Sequence, residues 1–160
     1  MRALILATFL LFTFQASAEE FFIDEYEFQW LVHKEGEAEL SVIKTDESTY
    51  IRLYNRAGGY SSLRLTGNEA VDISKALLST RDYFTKQKGT AEDISESVSA
   101  GDYKVIYRTS VKYGFSVNII KSSGYSMDRL SLEKSEAIKF QKFLAKAPNM
   151  IEFINTKVKF

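Results

Sequence analysis

Only one histidine, His33, and no cysteine occur among the 160 residues. Thiol catalysis, two-histidine metal sites and HExxH zinc chemistry are therefore excluded, and a Ser/His/Asp relay would have to use His33. His33 falls on the polar parity of a strand just before a turn, so it is expected at the surface without a catalytic partner. The sequence holds no GxSxG elbow, phosphate-binding glycine loop, dinucleotide fingerprint or calcium-loop spacing. No catalytic set, cofactor site or metal site is read from it, and the expectation is a protein that is not an enzyme. One acid pair could still serve a small hydrolase, since a glycosidase needs two carboxylates at a suitable separation. Glu25 and Glu27 lie about 7 Å apart on one strand face, yet nothing beside them gives a reason for a shifted pKa, and such a stripe also forms the wet face of an ordinary strand.

Binding chemistry is better supplied. Tyr50, Arg52 and Tyr54 share the outward parity of one strand with Arg64 of the next, and the second half offers Lys104, Arg108 and Arg129. Rings interleaved with cations suit a single-stranded nucleic acid, because bases stack on rings at about 1–3 kcal/mol each while Arg pairs with phosphate. Tyr and Arg are also common on sheets that bind nothing, where they pair across strands.

Alternation with period two sets the frame that carries these residues. Phe22, Tyr26, Phe28, Trp30 and Val32 share one parity against Glu25, Glu27, Gln29 and His33, the pattern of a strand with one buried face. Ala38–Val42, Tyr50–Tyr54 and Leu63–Leu65 continue an antiparallel meander with polar or Gly-bearing turns. Thr66-Gly67-Asn68-Glu69 then has capping-box spacing, and Ala70, Ile73, Leu77 and Phe84 follow a helical period, predicting a helix over 68–87. The Ser-rich stretch 88–102 reads as a linker. Strands are expected over 103–110, 113–121 and 125–132, then a helix over 133–146 that Pro148 breaks or follows with a restarted short turn, and an edge strand at Thr156–Phe160.

The two halves repeat. Gly59-Tyr60-Ser61 matches Gly124-Tyr125-Ser126, Ile51-Arg52-Leu53-Tyr54 matches Val117-Asn118-Ile119-Ile120, and Glu69-Ala70-Val71 matches Glu136-Ala137-Ile138. A strand meander entering one amphipathic helix, given twice over residues 48–86 and 103–146, resembles the repeat of single-stranded nucleic-acid-binding proteins of the PC4, PUR and Whirly type. That resemblance implies two units assembled into one compact body, with single-stranded nucleic acid as the ligand class. The chain departs from it in its neutral overall charge and its leader-like start.

Met1-Arg2, the apolar run Ala3–Phe14 and Ala16-Ser17-Ala18 have the tripartite form of a secretory signal, with cleavage expected after Ala18. Twelve apolar residues fall short of the ~20 needed to cross a bilayer. Lacking disulfides, the exported chain must be stabilised by its core, and the periplasm or extracellular medium is the expected home. Composition is that of a globular domain, 45% hydrophobic and 26% charged, with 21 basic and 21 acidic residues. Charge is unevenly placed: residues 19–47 are acidic and residues 101–160 basic. Either the two ends neutralise each other in the fold or a basic face meets an anionic partner.

The sequence thus predicts a single α+β domain over residues 19–160, built from units at 22–87 and 103–146, with both helices on one face of an antiparallel sheet. Its leading function is non-catalytic binding of a protein or envelope ligand through an exposed sheet face or edge, with single-stranded nucleic acid as the alternative partner.

Overall fold

The computed structural model describes residues 26–57, 61–122 and 129–159. The leader-like segment, Phe22, Glu25, both Gly-Tyr-Ser matches apart from Ser61, and Phe160 lie outside them.

The first half alternates as expected into β1 (Glu27–Glu35), β2 (Ala38–Thr45), β3 (Thr49–Asn55) and β4 (Ser61–Leu65), an antiparallel meander in chain order. Leu40, Val42, Ile51, Leu53, Leu63 and Leu65 alternate onto one face and are all buried. Thr66 then caps α1 (Gly67–Leu77): its hydroxyl accepts from the Glu69 N–H at 3.3 Å, and the Glu69 carboxylate accepts from the Thr66 N–H at 2.7 Å. The helix expected over 68–87 is two helices. Thr80 donates its hydroxyl proton to the Leu77 carbonyl at 2.6 Å, a local side-chain bond that competes with the helical ladder, and α2 (Thr80–Gln87) restarts there.

The second half repeats the order with β5 (Ile94–Ala100), β6 (Tyr103–Ser110), β7 (Gly114–Lys121), β8 (Arg129–Leu132), α3 (Lys134–Leu144) and α4 (Ala147–Lys157). Two expectations are corrected here. The stretch 88–102 is no mere linker, for it contains β5: Ile94, Glu96, Val98 and Ala100 turn inward while Ser95, Ser97 and Ser99 are exposed. Thr156 and Lys157 close a helix instead of opening an edge strand. Pro148 sits in the first turn of α4, where its missing N–H breaks no helical bond, so it starts the helix that buries Ala147 and Ile154.

The fold is therefore α+β, with eight strands among the described residues in two four-stranded sheets, β1-β2-β3-β4 and β5-β6-β7-β8. The halves correspond closely. Gly36 and Gly101 make the two-residue turns of the first hairpins at φ 57° and 60°, a left-handed conformation that suits glycine, and Glu69 and Glu136 both occupy the third position of a first helix.

Helices are exchanged between halves. α1 packs on β5 and β6 and α2 on β6, whereas α4 lies on β2 and β3 and α3 reaches β1; α1 and α3 pack on each other at the centre. One core results, drawing on the inner faces of both sheets and including Tyr103, Tyr107 and Phe140. Full burial of each such side chain contributes about 1.5–3 kcal/mol. The buried Tyr107 hydroxyl donates to the Ala76 carbonyl at the end of α1, 2.6 Å away, and desolvation pushes that phenol up to about 12.

Candidate binding site

Tyr50, Arg52, Tyr54 and Arg64 do share the outer face of the first sheet, opposite the core. Arg52 and Arg64 stand directly across from each other, an unfavourable pairing of like charges that neighbours relieve. Arg52 Nη1 lies 3.7 Å from Glu27 Oε1. The Arg64 guanidinium lies 3.9 Å from the centroid of the Tyr50 ring and donates to Ser48 Oγ at 2.5 Å. Tyr54 faces Glu39, whose carboxylate the Lys34 ammonium binds at 2.8 Å and holds below its ordinary pKa. Arg52 and Lys34 are thus paired with acids of the same sheet, and Arg64 already occupies the Tyr50 ring.

Lys104, Arg108 and Arg129 fall on the outer face of the second sheet, apart from the first four. Arg108 pairs with Asp93 at 3.3 Å; the Val111 N–H and Arg108 keep that carboxyl below its usual range. Arg129 donates twice to Asn118 Oδ1, at 2.8 and 3.2 Å. Lys104 is exposed and has no ion pair among the described residues. The seven candidates thus form two separate sets, mostly engaged by their own sheet.

His33 departs from expectation. A β-bulge between Leu31 and His33 shifts the pairing, which reverses parity beyond it. The imidazole consequently turns towards α3, stacking on Phe143 at 4.5 Å and meeting Phe140 edge-on at 5.8 Å. Its Nε2 is buried without a hydrogen bond among the described residues, 3.7 Å from Glu35 Oε2. It packs against the helix; it does not lie free at the surface. Glu27 is engaged by Arg52, and among the described residues no three His, Asp or Glu side chains gather to hold a metal.

A different site emerges where α2 of one half meets α3 of the other. Three clefts share walls along this seam. The first, about 610 Å³, is lined by Phe84, Tyr113, Phe115, Glu133, Lys134 and Ser135 among others. The second, about 530 Å³, has Arg81, Thr85, Lys134, Ser135 and Ile138. The third adds Leu77, Leu78, Gln141 and Lys142. Among the described residues, no acid beyond Glu133 lines the groove. The Lys134 ammonium lies 3.4 Å from the centroid of Phe84, and Leu78 is 65% exposed. The groove therefore has aromatic, basic and aliphatic parts.

Two of its cations sit where helix electrostatics opposes them. Arg81 is the second residue of α2 and Lys134 the first of α3. A positive charge in a first turn opposes the macrodipole by about 0.3–1 kcal/mol. Asp82 and Glu136 in the same first turns offset part of this cost, and both cations line one cleft. No single stretch of sequence shows this groove, since its walls come from both halves; cations opening two helices were the available signal.

Behind Asn55 and Glu133, which line the first cleft, lies a buried carboxylate. Glu136 accepts from the backbone N–H of Glu133 at 2.7 Å and of Glu37 at 3.2 Å, with Asn55 Nδ2 at 3.4 Å. Burial raises its pKa despite these bonds. It joins α3 to the β1–β2 turn and does not open into the cleft.

Among known proteins, no family model and no curated sequence matches the chain.

Proposed function

We propose that this protein is a non-catalytic binding module that seats an acidic, partly apolar peptide segment of a partner in the α2–α3 groove. The convergence of Arg81 and Lys134, each in a helical first turn, carries this reading. Ile138, Leu78 and Phe84 supply apolar contact between the cations. Three cations beside aliphatic walls suit carboxylates on an amphipathic segment better than a continuous phosphate backbone, which carries a charge on every nucleotide. The Tyr and Arg residues that suggested nucleic acid are largely engaged within their own sheets.

The leader-like pattern of residues 1–18 supports an exported protein meeting this partner in the periplasm or outside the cell. Among the described residues, no helix is long and apolar enough to cross a membrane.

Fluorescence anisotropy with three labelled probes tests the ligand class: a peptide with Glu and Leu at helical spacing, its Lys-for-Glu counterpart, and oligo-dT. The acidic peptide should bind at least tenfold tighter than either, about 1.4 kcal/mol, and should weaken with added salt. Tighter binding of oligo-dT would overturn this reading in favour of nucleic acid.

A further inference from the structure

Two of the four sheet-edge strands, β4 and β8, pack beside each other, and a third, β1, carries a bulge and charged residues along its length. β5 has neither protection. It pairs with β6 without interruption over seven residues and contains no Pro, Lys or Arg. Its single charge, Glu96, turns inward to the Lys86 ammonium at 2.7 Å. Lys86 neutralises that one charge within the same copy, which leaves a regular edge open to pairing with another strand.

β5 is also complementary to itself. Its hairpin closes through Ala100 opposite Tyr103 around a two-residue turn. Counting back from there, alternate residues Ser95, Ser97 and Ser99 direct their N–H and C=O groups to the open edge. Two copies related by a two-fold axis at Ser97 place Ser95 opposite Ser99, Glu96 opposite Val98 and Ile94 opposite Ala100. Within the strand no like charges stand directly opposite each other; the two Glu96 carboxylates are diagonal neighbours, each paired with its own Lys86, and small exposed hydroxyls fill the outer face. The formal net charge of zero adds little repulsion between copies.

We infer that β5 is a homodimer interface, joining the second sheets of two copies into one antiparallel eight-stranded sheet. The occupant of the edge is a second copy of this chain, and the claim is independent of what the α2–α3 groove binds. The interface is a reversible edge contact made by backbone groups of β5, whose inward side chains Val98 and Ala100 stay packed in their own copy, so each copy keeps its own fold when it dissociates.

Single cysteines read the register directly, because the chain has none of its own and the three serines are exposed. Ser97→Cys places both thiols at the axis, whereas two Ser95→Cys thiols lie about 13 Å apart, four residues along the strand. With a short bifunctional thiol reagent at micromolar protein, Ser97→Cys should cross-link to itself. Ser95→Cys should not, but an equimolar mixture of Ser95→Cys and Ser99→Cys should. Circular dichroism confirms that each variant is folded. Absence of a Ser97→Cys dimer, or equal cross-linking at Ser95 and Ser97, would overturn the assignment; dimers in a different register would overturn the proposed pairing.

Discussion

The Glu136 carboxylate accepts a hydrogen bond from the backbone N–H of Glu37 at 3.2 Å, across 99 positions of sequence. It ties the first turn of α3 to the first hairpin of the other half. Since burial holds this carboxyl above its ordinary value, the folded chain binds the proton more tightly than the unfolded chain does. The associated stability is complete below the unfolded value, near 4.3, and is lost as pH rises through the folded one. Glu136→Gln lacks this dependence. Urea unfolding at a series of pH values should show the stability of wild type relative to Glu136→Gln falling across that window; a constant or growing difference would contradict it.

Gly36 stands against the same carboxylate. Its φ is +57°, and a Cβ there would lie 2.7 Å from Glu136 Oε1. Gly114, at φ +75°, has nothing within 4 Å of the corresponding point. Gly114→Ala should lose only the left-handed backbone penalty of about 1–2 kcal/mol, while Gly36→Ala also displaces the Glu136 carboxylate and should lose more. Equal shifts in the thermal midpoint would show that the Glu136 contact contributes nothing.

Exchange of helices between halves makes the halves interdependent. A fragment ending near residue 91 loses the sheet that α1 and α2 cover, and the remainder loses the sheet under α4. Each fragment alone should show little helical ellipticity, and mixing them should restore the spectrum of the intact chain. Full helicity in either fragment alone would contradict the exchanged packing.

Much of this architecture is written locally. Thr66 and Glu69 announce α1 because their bonds are made within four residues, and the strands facing the core reveal themselves by alternation. Non-local pairing conceals the rest. The bulge after Leu31 turns His33 inward although parity placed it outward. β5 resembles a linker because its outward residues are all serine, and Pro148 signals a break or a short turn although what it opens is the 11-residue α4. The Tyr50–Arg64 face is legible as a face, but its engagement with Glu27 and Ser48 depends on the register. The groove is hidden more deeply, since Arg81 and Lys134 lie far apart in sequence and meet only when the helices exchange.

Charge reversal at Arg81 and Lys134 separates binding from folding most directly. Both residues open helices, so in the Arg81→Glu/Lys134→Glu variant the gain from complementing two dipoles offsets the lost Lys134–Phe84 contact, and the variant should unfold at the same or a higher temperature than wild type. Measured on one preparation, thermal unfolding should give an unchanged or raised midpoint, while anisotropy shows at least a tenfold loss of affinity for the acidic peptide. Undiminished affinity in that folded variant would contradict the account.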